Sequence, residues 1–470
     1  MKNVLFFILC VLPMFGMNAQ TWEQRIDTLL HEEFLKTSEV GITVFDLTTG
    51  ESLYRHQSEK LYRPASVEKL VTSVTALARL GSDYTLDTRL CYSGKIENDT
   101  LKGNLYLVGG FDPELMDEDL DSLVRMVAAS GIRCIADTLV ADISMTDSVY
   151  WGPGWSWDDS PNSFQPYLSP LMLQRGCVEV KVSPVVKDSL PAVECVPASS
   201  YYRVENKAKA HSPSAGKLAI TRDWMFHNNR ILISGNVTRA TTKKLSIYPS
   251  QDYFVHTFVE RLNREGIATG EWTFSSTPTP NDSITELFTL HRPLGEVLEE
   301  ALKESDNLCA ESLLFHLAAR HTEGRRVSVE DGTDAVKDFM KKELGFDPAD
   351  YRIADGSGVS LYNYLSPELL LEYLKYAYYH RDIFIPLYDS LPIAGIDGTL
   401  QNRMKRTTAH RNVRAKTGSV TGVSSLAGYV KAANGHQLAF VIINQNVMKA
   451  RLARAWQDKV CEVLCGGKSK

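Results

Sequence analysis

Hydrophobic residues recur every three or four positions in several stretches of the chain, which is the spacing of a helix with one buried face. The strongest example follows Ser66, where the apolar residues from Leu70 to Leu80 share one face. Similar spacing occurs near both ends of the chain and in two consecutive stretches of its second half. We therefore predict helices at 22–35, after Ser66, and at 294–303, 308–321 and 450–464.

Strand patterns lie close to the two chain ends. We predict strands at 40–46 and 52–55, joined by a Thr-Thr-Gly turn, and strands at 425–430 and 438–443. The second pair flanks Asn434-Gly435, and Asn-Gly between apolar runs is the strongest short hairpin signal. Helices flanking an antiparallel sheet, with strands from both chain ends, indicate an α+β fold.

The middle of the chain has a different pattern, from about residue 87 to residue 289. Short strand-like runs at 105–108, 178–182, 218–221 and 231–233 alternate with turns rich in Pro, Gly, Asn and Ser. We predict that 87–289 is a large, mostly β inserted region built from two small subdomains.

The first 19 residues are typical of a cleavable secretory signal. Lys2 precedes an apolar run, and cleavage is expected after Ala19. That run is too short for a comfortable membrane span, and no later segment approaches one. We predict a secreted, periplasmic protein with no integral membrane segment in the mature chain.

Charge and cysteine content narrow the classes further. The formal net charge is −6, which argues against nucleic acid as a partner. Seven of the eight cysteines lie beyond the predicted signal, so at least one thiol per chain is unpaired. Cys177 and Cys195 are candidates for a disulfide in an oxidising compartment. Asp117, Asp119 and Asp121 are interpreted as a solvated acidic face rather than a calcium site.

Residues 66–69 (Ser-Val-Glu-Lys) fit the Ser-x-x-Lys pattern of serine acyl-transfer enzymes, but so do residues 214–217 (Ser-Ala-Gly-Lys). Only the first opens a helix, because proline and glycine interrupt the second. Residues three apart share a helical face, so Lys69 should reach the Ser66 hydroxyl. Lys69 can act as its base if desolvation or a second cation, predicted to be Lys416, lowers its pKa. The alternative is that Ser66 only caps the helix and Lys69 is solvated.

Two further motifs follow in the second half. Residues 305–307 (Ser-Asp-Asn) fall between two predicted helices, either as a turn that projects Ser305 and Asn307 into a cleft or as an ordinary helix cap. Residues 416–418 (Lys-Thr-Gly) precede the predicted hairpin and should lie at a sheet edge. An extended peptide can pair with such an edge, and Gly418 would let its backbone approach closely.

With all three motifs in this order, the chain resembles the class C low-molecular-mass penicillin-binding proteins, the D-alanyl-D-alanine carboxypeptidase/endopeptidases. Segments 103–113, 151–159 and 355–360 are also typical of that family. The three motifs must line one cleft, although more than twice as many residues separate the first two as the last two. The resemblance therefore implies a β-lactamase/transpeptidase-like catalytic domain formed by 20–86 and 290–470, with 87–289 inserted.

The resemblance also implies the chemistry. It indicates a serine D-Ala-D-Ala carboxypeptidase that acts on peptidoglycan stem peptides, cleaves D,D cross-links and is acylated by β-lactams at Ser66. Lys69 would accept the proton of Ser66, Ser305 would relay a proton to the leaving amine, and the backbone N–H groups of Ser66 and Ser419 would form the oxyanion hole. We expect no metal and no cofactor. The residues assigned to the substrate are Asn307, Lys416, Thr417, Gly418, Ser419, Asp159 and Phe164.

Two other classes of protein fit part of the sequence. A β-lactamase shares the three motifs, but a compact β-lactamase would not need the large insertion. A non-catalytic wall-binding protein with a decayed site is disfavoured, because the polar residues of all three motifs are intact.

Overall fold

The computed structural model describes residues 20–324 and 326–466, so the predicted signal segment 1–19 lies outside the described residues. The five predicted helices are confirmed. The first is shorter than predicted and gives way to a 3₁₀ turn at Glu33–Lys36, and the stretch 294–303 divides into an α-helix and a π-helical turn at Glu300–Glu304. In the described part of the chain the α-helices are α1 (Trp22–Leu29), α2 (Glu68–Leu80), α3 (Asp117–Ala129), α4 (Ser250–Arg264), α5 (Leu294–Glu299), α6 (Asn307–Thr322), α7 (Val329–Leu344), α8 (Pro367–Tyr379), α9 (Arg381–Ser390) and α10 (Ala450–Leu464).

The predicted strands are also present, with bounds that differ by a residue or two. The strands of the described residues are β1 (Glu39–Asp46), β2 (Glu51–His56), β3 (Thr85–Tyr92), β4 (Lys95–Glu97), β5 (Thr100–Lys102), β6 (Leu105–Val108), β7 (Cys134–Ile135), β8 (Leu139–Asp142), β9 (Cys177–Ser183), β10 (Ala192–Val196), β11 (Arg203–Asn206), β12 (Lys209–Ala210), β13 (Ala219–Arg222), β14 (Arg230–Ser234), β15 (Asn236–Val237), β16 (Thr241–Ser246), β17 (Ala268–Thr269), β18 (Trp272–Ser275), β19 (Thr285–Pro293), β20 (Arg414–Val420), β21 (Val423–Lys431) and β22 (Gln437–Gln445).

A five-stranded antiparallel sheet organises the two ends of the chain, in the order β2-β1-β22-β21-β20. Successive side chains of a strand point to opposite faces, and both faces of this sheet are covered. Val441 and Ile443 of β22 enter a core shared with α2, α6 and α8. Phe440 and Ile442 enter a second core shared with α1 and α10. The sheet is therefore buried between helical layers, and β2 and β20 are its two edge strands.

Helix α2 runs through the core beside this sheet. Every residue from Glu68 to Leu77 is buried, so the polar side chains of its first turn are removed from water together with the apolar ones. It packs against α6, α7, α8 and α9. A helix enclosed in this way holds its N-terminal residues in fixed positions.

The middle of the chain has its own apolar core. Its larger sheets have the orders β18-β8-β6-β3-β19 and β17-β7-β5-β4, and smaller ones are formed by β10-β9-β16 and β11-β14-β13. Strands β3 and β19 pair antiparallel from Thr85 opposite Pro293 to Tyr92 opposite Thr285, so the chain enters and leaves this region side by side. The division of the chain at residues 87 and 289 stays a prediction that this pairing supports.

The sequence pattern did not predict α3 and α4, which pack together in the middle region. The acidic run interpreted as a solvated face forms the first turn of α3, where carboxylates complement the helix dipole. Asp117 and Asp121 bind Arg261 of α4, and Asp119 binds Arg292 of β19. These carboxylates therefore join α3 to two neighbouring elements.

The suggested Cys177–Cys195 disulfide is wrong. All seven cysteines among the described residues are free thiols. Cys195 lies opposite Val180 across the β9–β10 pair, whereas Cys177 lies opposite Ser246 on the other side of β9. The register thus separates the two thiols along the strand. Among the described residues, no helix is both long enough and apolar enough to cross a membrane.

We predict that Trp456 of α10 is a major source of stability for the five-stranded sheet and the helices that cover it. Its side chain is fully buried, and its Nε1 donates to the carbonyl of Leu29 at 2.8 Å. Trp456→Ala should lower the free energy of unfolding by about 3–5 kcal/mol because it leaves a large cavity and removes a hydrogen bond to Leu29. Lys459→Ala, which removes only an exposed ion pair with Glu32, should cost below about 1 kcal/mol. Urea unfolding followed by circular dichroism measures both, and equal costs would contradict the prediction.

Candidate active site

Ser66 lies in the 3₁₀ turn Ala65–Val67, which continues directly into α2. The Lys69 Nζ is 3.0 Å from the Ser66 Oγ, and Lys69 is fully buried. Val67, not Ser66, occupies the N-cap position of α2. The alternative in which Ser66 caps the helix and Lys69 is solvated is therefore wrong.

The rival serine has no comparable neighbour. Ser214 lies in the 3₁₀ turn Pro213–Ala215 of the middle region, and the Oγ of Ser212 lies 3.4 Å from its Oγ. Gly216 follows with a positive φ of 79°, so the chain leaves the helical path before Lys217. The structure thus separates two motifs that the Ser-x-x-Lys pattern alone does not.

The Ser-Asp-Asn turn also contacts Lys69. Ser305 ends the π-helical turn with a positive φ of 64°, and Asn307 begins α6. The Asn307 Oδ1 accepts a hydrogen bond from the Lys69 Nζ at 2.7 Å. The carbonyl of Ser357 accepts another from the same nitrogen at 2.8 Å. With the Ser66 Oγ, these acceptors satisfy all three protons of an ammonium group in a region that excludes water.

Lys416 brings the third motif to the same point. It lies on the edge strand β20, as the sequence predicted, and its Nζ donates to the Ser305 Oγ at 2.7 Å and to the carbonyl of Thr417 at 2.8 Å. A side-chain carbon added at Gly418 would lie 2.9 Å from the backbone nitrogen of Ser66. Only glycine lets the edge strand come this close to the serine.

The loop at residues 355–360, to which the sequence analysis assigned no role, lies against the backbone that precedes Ser66. Asp355 is fully buried and accepts hydrogen bonds from the Trp155 Nε1 at 2.9 Å, the Gly358 N at 2.9 Å and the Ser360 N at 2.7 Å. A Cβ on Gly358 would meet the carbonyl oxygen of Ala65 at 2.0 Å. Ala65 itself has a left-handed φ of 51°, a strained conformation of the kind found at functional sites. The loop therefore fixes the backbone just before Ser66.

Burial is the largest influence on the two lysines. It lowers the pKa of Lys69 to about 8, although Asp355, Asp306 and Glu311 act in the opposite direction. Burial, followed by the charge of Lys69, holds the pKa of Lys416 well below its ordinary value. The charge of Lys69 thus lowers the pKa of Lys416, whereas Lys416 is not among the groups that act on the pKa of Lys69, so the predicted effect of Lys416 on Lys69 stays a prediction. An amine with a pKa near 8 can accept a proton from a serine close to neutral pH.

Comparison with known proteins identifies the kind of site that this is. Residues 22–464 match the model of the D-Ala-D-Ala carboxypeptidase 3 (S13) family. The chain belongs to this family. It is 31% identical to the D-alanyl-D-alanine carboxypeptidase of Actinomadura sp. (strain R39) over an alignment of 448 residues. The alignment covers 91% of this chain and 82% of that protein.

Solved structures agree. The crystal structure of penicillin binding protein 4 (dacB) from Haemophilus influenzae matches with a TM-score of 0.81 and 26% identity, over 94% of this chain and 98% of that one. The same protein complexed with a β-lactam matches with a TM-score of 0.74 and 25% identity, over the same shares of the two chains. The predicted family and the predicted α+β fold class are thus confirmed for this S13 carboxypeptidase.

Two buried carboxyl groups beside Lys69 escaped the sequence analysis. Both oxygens of Glu311 accept from the Gly356 N at 3.2 Å, and burial, followed by Asp355, raises the pKa of Glu311 to about 8. Glu68 is fully buried, neither of its oxygens has a hydrogen-bond partner, and burial raises its pKa well above the usual range. Raised pKa values favour the neutral forms of both groups, which weakens the negative charge beside Lys69 that would keep it protonated.

The two residues assigned to the substrate from the middle region occupy different surroundings. Phe164 lines a cavity of about 460 Å³ together with Arg175, Ser305 and Asn307, and its carbonyl accepts from the Asn307 Nδ2 at 2.6 Å. Asp159 lies in the 3₁₀ turn Trp157–Asp159 and does not line this cavity. Burial, followed by the neighbouring Asp158, raises the pKa of Asp159, which is the environment of a carboxylate that a cationic ligand would stabilise.

We predict that β-lactam acylation of the wild type rises with pH around a midpoint near 8, because Lys69 loses its proton there. The carboxylate of a bound β-lactam favours the protonated form of Lys416, so Lys416→Gln removes a like charge in that complex and should move the midpoint upward. The shift should be smaller than the displacement caused by burial, so the midpoint stays below the ordinary lysine value of about 10.4. Lys416→Arg keeps the charge and should preserve the midpoint. Rates measured against pH test this, and a midpoint at the ordinary value in Lys416→Gln would contradict it.

Proposed function

We propose that this D-alanyl-D-alanine carboxypeptidase removes the terminal D-alanine of peptidoglycan stem peptides through an acyl-enzyme at Ser66. The observation that carries the proposal is the 3.0 Å contact between the Ser66 Oγ and a fully buried Lys69 whose pKa is lowered to about 8. A serine hydroxyl is a weak nucleophile until a neighbouring base removes its proton. Lys69 has both the position and the pKa for that task.

Acylation proceeds in two proton transfers and one substitution. Neutral Lys69 takes the proton of Ser66 while the Oγ bonds to the carbonyl carbon of the penultimate D-alanine. The oxyanion that forms is stabilised by the backbone N–H groups of Ser66 and Ser419. Ser305 passes its proton to the departing amine and takes one from the Lys416 Nζ, which lies 2.7 Å from its Oγ, as the C–N bond breaks. Water then hydrolyses the ester, and the proton held by Lys69 returns to the Ser66 Oγ.

Substrate binding uses the exposed edge of the sheet. A stem peptide extends along β20, with its terminal carboxylate at Lys416 and Thr417 and its acyl side chain at Asn307. Gly418 and Ser419 line the path of the peptide, since Gly418 allows the strand to approach Ser66. A carboxylate brings a negative charge to Lys416, which favours the protonated form of that lysine.

The wider role follows from the same site. We propose that the enzyme also cleaves D,D cross-links between stem peptides, because β20 is an edge strand along which an extended segment of a second peptide can pair. β-Lactams occupy the same place and acylate Ser66. The substrate is found outside the cytoplasmic membrane, which agrees with the predicted secretory signal and periplasmic location.

The labelling of Ser66 by a fluorescent penicillin tests the proposal. Wild type and Ser214→Ala should form a stable covalent adduct, and Ser66→Ala should form none, because Ser66, unlike Ser214, has a lysine in contact. Ser214→Ala is a matched control, since it alters the second Ser-x-x-Lys motif. Rapid loss of the label from wild type would indicate a β-lactamase, and no labelling would indicate a non-catalytic wall-binding protein. Incubation with muropeptides, followed by mass analysis, identifies the products.

Asp159 supplies a separate test of specificity. If its carboxylate binds the free ammonium of the stem peptide's third residue, Asp159→Ala should reduce kcat/KM for diaminopimelate-type peptides more than for lysine-type peptides. Asp158→Ala is the matched control, because it removes the neighbouring carboxylate of the same turn. An unchanged ratio of the two kcat/KM values in Asp159→Ala would rule out this role.

A further inference from the structure

One arginine of the middle region is bound by three carboxylates from three separate segments. The guanidinium of Arg175 is 2.8 Å from Glu114, 2.8 Å from Glu300 and 3.0 Å from Asp306. Its side chain is 23% exposed, and those of Glu114 and Asp306 are less exposed still, so the cluster is largely shielded from solvent. Burial alone would lower the pKa of Arg175, but Asp306 and Glu114 raise it, so the guanidinium stays charged.

Asp306 is the middle residue of the Ser-Asp-Asn motif, and each of its carboxylate oxygens has its own task. Oδ1 accepts from the backbone N–H of Cys309 at 2.9 Å and so caps α6. Oδ2 accepts from Arg175. The Cys309 Sγ donates to Glu114 at 3.2 Å, which ties the first turn of α6 to the same cluster. Arg175 therefore holds the motif through the residue between Ser305 and Asn307.

The backbone around this contact needs such support. Ser305 has a φ of 64° and Arg175 a φ of 58°, both left-handed conformations that are costly for residues with a side chain. Ser305 also follows a π-helical turn, which is itself an irregular form. A strained turn persists only where contacts around it hold it in place. Arg175 supplies two such contacts, one to Glu300 at the start of the π-helical turn and one to Asp306 just after Ser305.

We infer that Arg175 is a positioning residue for acylation, holding Asp306 so that Ser305 and Asn307 meet Lys416 and Lys69. The inference rests on the proposed function. It gives a part in catalysis to a residue of the middle region that lies outside the three sequence motifs.

The cluster also affects the charge balance at Lys69. The groups that face Lys69 are Asp306, Asp355, Glu68, Glu311, Cys309 and Lys416. Asp306 raises the pKa of Lys69, and the guanidinium of Arg175 offsets part of the negative charge of Asp306. Removing the cation should therefore raise the pKa of Lys69 and move the acylation profile to higher pH.

The test compares Arg175→Met with Arg261→Met by measuring the acylation rate by a chromogenic cephalosporin against pH, and the Tm. Arg261 has a similar setting, between Asp117 and Asp121, but lies away from the three motifs. We expect Arg175→Met to lose about 10- to 100-fold in acylation rate, with its midpoint at higher pH. Arg261→Met should lower Tm but retain the wild-type rate and midpoint. An unchanged rate and midpoint in Arg175→Met, or equal rate losses in both variants with no shift, would overturn the inference.

A double-mutant cycle decides the matter if Arg175→Met does not fold. Arg175→Lys keeps the charge but loses the planar fork, so the midpoint should stay close to wild type while the rate falls. In an Asp306→Asn background the same change should cost much less, because the partner through which Arg175 acts is gone. Equal costs in both backgrounds would exclude positioning through Asp306. Ser66→Ala separates the two proposals: if it is still acylated, the proposed function fails whatever Arg175 does.

Discussion

A lysine with no access to water is the constraint on which the rest of this site depends. Lys69 is enclosed by the packing of α2 against the sheet and the helices beside it, and its Nζ meets the Ser66 Oγ one turn away and two acceptors from distant segments. Charge in such a place is stable only if every proton is paired. Burial nevertheless lowers the pKa of Lys69, so the amine beside Ser66 loses its proton more readily. Enclosure therefore orders the site and gives Lys69 the pKa that the proposed base requires.

The carboxyl groups around Lys69 are of two kinds: one accepts several hydrogen bonds, and the others have pKa values raised by burial. Asp355 is held by backbone and side-chain donors, whereas burial raises the pKa values of Glu68 and Glu311 and so favours their neutral forms. Three carboxylates around one lysine would hold its proton firmly. Protonation of two of them leaves a buried base that can still lose it.

The middle region contributes to this arrangement from outside the catalytic motifs. Arg175 binds Asp306 of the Ser-Asp-Asn turn, Glu114 accepts from Cys309 in the first turn of α6, Trp155 donates to Asp355, and the carbonyl of Phe164 accepts from Asn307. Each of these partners lies within two residues of a group that binds Lys69. The middle region is thus joined to the site by polar contacts, which are directional and hold groups in orientation.

Local patterns in the sequence were enough to predict the helix after Ser66 and the hairpin beside Lys416. Helical spacing after Ser66 predicted that Lys69 lies one turn away, and Asn-Gly predicted the hairpin beside Lys416, because both signals are periodic and short in range. Which groups are charged, and which contacts hold them in place, depends on the tertiary structure. The buried Glu68, the cluster around Arg175, the helices α3 and α4 and the register that separates Cys177 from Cys195 all depend on contacts between residues far apart in the chain. A pKa follows from the number of charges and the exclusion of water around a group, and no local pattern in the sequence encodes either.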